Sequence, residues 1–520
     1  MQKAKKLIGL FLVLCFAITM VAGCGGGSSA DSTAADSSVA TDSSVAPATD
    51  STAAPTTPAI DTSKEVALQW YQVGNGQPKD MDAVLAKVNE YLKPKINATL
   101  KLNIFTWGDD WEKKMAAKVS SGEEFDITFT AAWALNYGQN AAKGAFVDLT
   151  PMMDTYAPKT KALLGDAIIK GASIDGKLYA IPTKKEMAHV WGFEIRKDLV
   201  EKYGFDLSTI KKFEDIEPML KVIKEKEPGV YPFASTVGES PYRLLDFEKM
   251  VDDNVPGAIY GDYRDNKVIN DYDTPETKAL LETINKWYKA GYIRKDADAV
   301  TDFSADLKAG KTFSIIRSLK PGKAAEDELQ YNQPLTQVEI TAPVSTTREM
   351  TGAMQAISKT SKNPERALMF LELMNTDKEL CNLVNFGIEG THYKKVNDTT
   401  IESIKPAFDN YNNGLPWAFA NQFNTYLFPT EDPEKWKKFD EFNNSAKIST
   451  LMGFTFNAEP VKTEVAALTA VKRQYFPGLE VGKADPATVL PQMNKKFADS
   501  GLDKVLAEMQ KQVDEFLAKK

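Results

Sequence analysis

From Val66 onward the chain alternates short apolar runs with amphipathic stretches of helical period. Val66 to Tyr71 reads as a strand, and Asp80 to Tyr91 as an amphipathic helix that stops before Pro94. Thr99 to Phe105 is the next strand, Asp110 to Val119 a helix, and Phe125 to Phe129 a short buried strand. A β-α-β-α-β start predicts a mainly parallel sheet covered by helices. After a polar stretch from Thr183 to Ala188 the pattern resumes with a strand at Val190 to Phe193. Helices follow near 196–203, 213–226 and 275–290. Thr312 to Ile316 and Ala353 to Ile357 are further short strands. Asn363 to Met374 is a helix with Asn363 at the cap and Pro364 in the first turn. Helical patterns near 431–444, 461–475 and 486–517 close the chain, and no repeat of fixed period runs through it.

The start of the chain differs in kind. Lys3, Lys5 and Lys6 precede an apolar run from Leu7 to Gly23, interrupted by Thr19, the pattern of a secretory signal. The run borders on the shortest helix that spans a bilayer, so its ending decides between export signal and membrane helix. Val21-Ala22-Gly23-Cys24 resembles the lipobox of bacterial lipoproteins, which implies that residues 1–23 are removed and Cys24 is lipidated. Two or more acyl chains suffice for stable anchoring. Gly25 to Ser63 is dominated by Gly, Ser, Ala, Thr, Asp and Pro, with no aromatic and no basic residue. It reads as a tether that cannot bury enough apolar surface to order itself, with a reach of roughly 35 Å.

Length and charge narrow the classes. At 520 residues the chain has room for two to four compact units, and a net charge of −8 gives no basic footprint for nucleic acid. Cys15, Cys24 and Cys381 are the only cysteines and His189 and His392 the only histidines, which excludes a disulfide framework and weakens His-based metal or triad chemistry. Gly74-Asn75-Gly76 reads as a turn, because Lys79 stands where a dinucleotide loop needs a third glycine. Asp296, Asp298, Asp302 and Asp306 form an acidic cluster, yet Leu307 replaces the closing Glu of a calcium loop, so no metal and no cofactor is expected. The pairs Asp109-Asp110 and Glu123-Glu124, and Glu186, offer carboxylates at no spacing that marks catalysis. Gly-x-Ser-x-Gly is absent, and the chain is not expected to be an enzyme.

Aromatic positions carry more. Trp70 and Tyr71 end one strand, Trp107 follows another, and Trp133 and Tyr137 follow the third. Ligands of open α/β sheets bind outside the carboxyl ends of the strands, so these five side chains mark either core packing or a binding platform. Flat aromatic faces suit sugar rings, whose C–H faces are apolar while their hydroxyls seek polar partners.

Phe125-Asp126-Ile127-Thr128-Phe129, Trp133 to Tyr137 and Lys143 to Thr150 together resemble the extracellular solute-binding proteins of ABC transporters. Gly176-Lys177-Leu178-Tyr179-Ala180-Ile181-Pro182, Ala353 to Ser358 with Lys362 to Leu371, and Gly310 to Arg317 are similar to further motifs of that family. Asn385 to Tyr393, Gly453-Phe454-Thr455-Phe456 and Pro460 to Glu464 resemble the group with an extra C-terminal domain of unassigned role. The resemblance implies an α/β, type II periplasmic-binding-protein-like fold of two lobes that close on a ligand by hinge motion. Lobe 1 is expected at 64–182 plus about 350–386, and lobe 2 at 183–349 plus about 387–520, with crossovers near 181–190, 342–352 and 387–400. Positional carry-over places Trp133, Asn136 and Tyr137 in the cleft loop and Arg317 at the cleft end of a lobe 2 strand. Glu186 and Trp191 fall at the first crossover, Glu389 and Tyr393 near the third. In these roles Trp and Tyr stack, Asn and Glu bond hydroxyls, and Arg317 supplies a planar donor fork; for Glu186 and Arg317 a structural ion pair stands beside that role. His189 and His392 read as crossover hydrogen-bonders, and Cys381 as a buried free thiol. The implied function is a monomeric, membrane-anchored receptor that hands a carbohydrate, an oligosaccharide, to an ABC permease. A peptide, polyamine or glycerophosphodiester ligand stays open, as does a surface glycosidase or adhesin.

Overall fold

The computed structural model describes residues 60–520, apart from 238–239, 301–302 and 413. The signal segment, the Cys24 lipidation site and the tether up to residue 59 lie outside the described residues. In chain order the strands are β1 Val66–Gly74, β2 Ala98–Thr106, β3 Ile127–Thr130, β4 Ala180–Pro182, β5 Val190–Arg196, β6 Tyr231–Ala234, β7 Phe247–Lys249, β8 Ala258–Tyr260, β9 Thr312–Leu319, β10 Leu335–Glu339, β11 Val344–Ser345, β12 Met354–Ile357, β13 Tyr393–Lys395, β14 Ile401–Ser403 and β15 Lys447–Ile448.

Two sheets form the two lobes. The first runs β2-β1-β3-β12-β4, and the second β10-β5-β9-β6. β1 pairs in parallel with both β2 and β3, as the opening alternation predicts. The expectation of a mainly parallel sheet fails beyond that point. β12 is antiparallel to β3 and β4, and β5 is antiparallel to β9 and β10. The chain leaves lobe 1 through β4 and returns through β12, so the returning strand enters from the cleft side and runs against its neighbours.

Helix Met81–Ile96 covers the first sheet with Met81, Val84, Val88, Leu92 and Ile96, one face at helical spacing. It continues past the expected stop and contains Pro94. In the last turn a missing amide costs one bond, and Asn97, in the left-handed conformation, caps the end by donating to the Lys93 carbonyl. Helix Pro364–Thr376 begins where expected with Asn363 at the cap position, although the Asn363 side chain makes no capping bond. Trp70 lies fully buried, edge-on to Phe370 at 5.5 Å and Phe419 at 5.3 Å.

Lobe 2 is centred on helix Pro275–Lys289, whose Leu281, Ile284 and Trp287 are fully buried. The C-terminal helices Lys462–Glu480, Pro486–Asp499 and Leu502–Ala518 belong to the same core; the last two replace one expected helix broken at Ser500 and Gly501. Asn285 ties the region together, donating to the carbonyls of Gly482 at 2.8 Å and Ala484 at 3.1 Å.

The third crossover departs from its expected place at 387–400. Residues 387–428 stay with lobe 1: Tyr411 donates to the Val384 carbonyl at 2.8 Å, and Ala418 and Phe419 enter the lobe 1 core. The chain crosses instead through helix Lys435–Ser445, whose Trp436 packs on Phe423 and whose Phe442 packs with Val190 and Leu319. The three passages are tied side by side. His189 and Val344 exchange two backbone bonds of 2.9 Å, and β11 pairs in parallel with β15.

Candidate ligand cleft

A cleft of about 2310 Å³ separates the lobes. On lobe 1, Trp107 follows β2, Trp133 follows β3, and Trp417 sits on the short turn Pro416–Ala418. Trp107 stacks 6.1 Å from Trp133 and 6.2 Å from Trp417, and Trp133 lies 6.2 Å from Trp417. Phe129 packs against both Trp133 and Trp417. The indole N–H groups have protein partners: Trp107 donates to Asn75 Oδ1 at 3.0 Å and Trp133 to the Gly352 carbonyl at 2.8 Å. Yet Trp107 is 37% and Trp133 44% exposed, where most other large apolar side chains are buried. Ring faces left open with their polar edges already satisfied form a rigid apolar platform.

Lobe 2 supplies a charged wall. The Arg243 guanidinium lies 5.5 Å from the Trp191 ring and pairs with Asp253 at 2.7 Å; Arg348 reaches the same carboxylate at 3.1 Å. Burial pushes Asp253 up, but Arg348 and Arg243 outweigh it and hold its carboxyl below the usual range. Glu186 is clamped by Lys185 at 2.9 Å and Lys320 at 3.3 Å. These lysines overcome its desolvation and bring it down to about 2. Beside them His189 Nδ1 lies 2.8 Å from Glu349, and that carboxylate raises the imidazole against the effect of burial. The lining carries as many acidic as basic side chains, so the cleft as a whole has no charge preference.

The structure divides the residues marked from sequence. Trp133, Asn136, Tyr137, Glu186 and Trp191 line the cleft, and Trp107 joins them through its stack. Asn136 spends both ends of its amide on its own loop, accepting from the Gln139 amide and donating to the Ala132 carbonyl, each at 2.9 Å. The Tyr137 ring is buried, and its hydroxyl donates to the Ala172 carbonyl at 2.8 Å, a brace rather than a contact surface. Trp70 and Tyr71 are core residues; Trp70 donates to Gln355 at 2.8 Å, and Tyr71 packs against Phe105 and Phe125. Both stand inside β1, whose two faces are covered, and not beyond its end. Arg317 turns to the helix-covered side of its sheet, donating to the Tyr331 hydroxyl at 3.1 Å with Glu194 at 3.8 Å. Glu389 pairs with Lys395 at 2.9 Å on the lobe 1 surface, and Tyr393 is buried against Tyr426, so neither lines the cleft.

Trp417, Arg243 and Arg348 went unmarked. Trp417 lies in a loop without periodicity, and its one signal was a tryptophan after proline in a polar stretch. Three acids of the cluster are met by cations of the chain itself, Asp302 lying outside the described residues: Arg294 bonds Asp296 at 2.7 Å and also Asp306, and Lys483 bonds Asp298 at 2.7 Å. Cys381 is a buried free thiol whose desolvation pushes its pKa up to about 12.

Comparison with known proteins supplies context for this geometry. Residues 86–386 match the family model of bacterial extracellular solute-binding proteins, and residues 450–518 match a domain of unknown function. The chain is 33% identical over 468 residues to a carbohydrate ABC transporter substrate-binding protein of Streptococcus pneumoniae serotype 4 (strain ATCC BAA-334 / TIGR4), covering 89% of this chain and 93% of that protein. Among solved structures, the N-glycan transport solute binding protein (NgtS) from Streptococcus pneumoniae superposes with a TM-score of 0.80 at 33% identity, covering 88% of this chain and 100% of that one. The same protein in complex with Man5GlcNAc gives a TM-score of 0.73 at 34% identity, covering 88% and 99%.

Proposed function

Because the chain belongs to the bacterial extracellular solute-binding family, we propose that it captures an oligosaccharide between its lobes and delivers it to the permease of an ABC importer. The observation that carries this reading is the stacked platform of Trp107, Trp133 and Trp417, with Trp191 and Arg243 on the other lobe. Ring faces take the apolar side of a sugar, and the ion-paired groups around it offer donors and acceptors already fixed in place. A cleft with balanced charge argues against a polyamine or a phosphodiester, which would select for one sign.

The relatives narrow the class: one is named for carbohydrate and another for N-glycan transport, so a mannose and N-acetylglucosamine oligosaccharide is the first ligand to try. Proteins of this family bind and release; the energy for import comes from a separate ATPase. In this reading the lipidated Cys24 holds a monomeric receptor at the extracytoplasmic face of the membrane, and the segment after it spaces the lobes from the bilayer.

Tryptophan fluorescence and titration calorimetry with Man5GlcNAc, a two-sugar fragment of it, a peptide, spermidine and a glycerophosphodiester test the proposal. Saturable binding of the sugars without product release is the expected result. A response confined to a charged control, or liberation of smaller sugars, overturns it.

A further inference from the structure

The stretch that matches a domain of unknown function, residues 450–518, faces the cleft at both ends: Met452 to Asn457 near its start, and Gln512 and Phe516 near its close. We propose that this domain is the third wall of the cleft and forms a further subsite, reached by the additional units of a long oligosaccharide; the inference rests on the sugar-capturing reading above.

The wall is braced from behind. Leu451 and Val461, on either side of the loop, are buried in the lobe 2 core. Phe454 packs edge-on to Phe516 at 5.6 Å. The Asn457 backbone N–H donates to Gln512 Oε1 at 2.9 Å, and Gln512 Nε2 returns a bond of 2.9 Å to the Asn457 backbone carbonyl. This clasp lets helix Leu502–Ala518, and not the ligand, set the shape of the loop. Pre-organisation of that kind spares a binding site the entropy of ordering.

The front of the wall reaches lobe 1. A Cβ on Gly138 would stand 2.9 Å from Thr455 Cγ2, and one on Gly171 would stand 2.9 Å from Met452 Sδ. A side chain at either position would require Thr455 or Met452 to shift, so the two glycines let the loop approach lobe 1 closely. Gly138 stands in the first turn of helix Tyr137–Ala142, five residues after Trp133, so the tryptophan platform and the third wall adjoin through one short stretch of chain. Facing the space between them are the half-buried rings of Phe454 and Phe456, with the exposed Thr455 and Asn457 alternating beside them. That is again a pattern of ring and polar group suited to a sugar. The cleft, at about 2310 Å³, is more than twice the upper end of the roughly 300–1,000 Å³ of small-molecule sites. A ligand seated on the tryptophans alone leaves much of it unfilled.

The test is calorimetry on the intact chain with Man5GlcNAc and its two-sugar fragment, comparing wild type, Phe456→Ala, Thr455→Ala and Trp133→Ala. Phe456→Ala is expected to weaken Man5GlcNAc by about tenfold while the fragment stays within about twofold. Thr455→Ala, whose exposed side chain makes it safe for folding, should move the same way by less. Trp133→Ala should weaken both ligands. Equal losses for long and short ligand on Phe456→Ala, or none on either loop variant, overturn the subsite while leaving sugar capture intact. A wild type that binds neither sugar overturns the capture reading, and the subsite with it.

Discussion

Trp70 lies four residues before the end of β1, and Trp133 three residues after the end of β3. That offset turns the same side chain into a core pillar in one case and an open face in the other. Trp133→Ala is expected to weaken sugar binding by about 30-fold, about 2 kcal/mol, the scale of a buried interface anchor. Its effect on folding should stay near the roughly 1 kcal/mol of an aromatic pair. Trp70→Phe should do the reverse: it strands the buried Gln355 oxygen that accepts the indole N–H, costing about 1–3 kcal/mol, and leaves affinity unchanged. Thermal melting beside calorimetry separates the two, and a loss of affinity in Trp70→Phe would return that residue to the site. The sequence placed aromatics after successive strands, and Trp107 and Trp133 emerge there. It did not carry the strand ends to within a residue, and that decides which of Trp70, Tyr71 and Trp133 is exposed. Arg317 was misread for a related reason: side chains alternate across a strand, and a shift of one residue exchanges cleft for core.

Elements were more legible than their directions. The helices read from periodicity start and stop within a few residues of where it puts them, because amphipathic faces and caps act locally; helices Pro158–Ala172 and Lys323–Tyr331 went unread. Strand polarity is not local. β12 runs against β3 because of the lobe it returns from, and no pattern within Met354–Ile357 says so. The crossover elements also carry a titration. Glu349 closes a capping box with Thr346 and lies 2.8 Å from His189, with Arg348 and Asp246 also acting on the imidazole. His189 is raised from 6.5, so its stabilising pair is complete below that pH and is lost as pH rises through the raised value. Glu349, lowered from 4.5 to about 2, gives its full share above 4.5 and loses it as pH falls through the lower value. The melting-temperature difference between wild type and His189→Asn should therefore be larger at about pH 5.5 than at about pH 8.5. A difference that stays constant across that range would show that the pair does not contribute as a charge pair.

At the scale of the whole molecule, the C-terminal helices are part of lobe 2 and not an appendage. Leu468, Phe476, Leu479, Leu490, Met493, Phe497, Val505 and Met509 share one core with Leu281, Ile284 and Trp287. Each such side chain contributes about 1.5–3 kcal/mol when buried, and together they match or exceed the roughly 5–15 kcal/mol by which folded proteins are stable. Deletion of residues 459–520 is expected to leave lobe 2 unfolded, seen as rapid proteolysis within 190–340 and loss of near-ultraviolet dichroism. A truncated chain that melts cooperatively would mean that lobe 2 stands alone. The sequence reading sets three crossovers between the lobes. The third was placed too early because residues 387–428 look like a new segment by composition, while their partners, such as Val384 for Tyr411, are set by packing.

Three chain passages lie edge to edge at the joint, bound through His189, Val344 and Lys447. A single strand between two bodies would let them bend, twist and slide. Three passages bonded side by side resist sliding, which would break those bonds, and resist twisting, which would strain the outer passages against the middle one. What remains soft is rotation about the line they share. The opening of the cleft is then described by one angle, and any ligand long enough to touch both sides fixes its value.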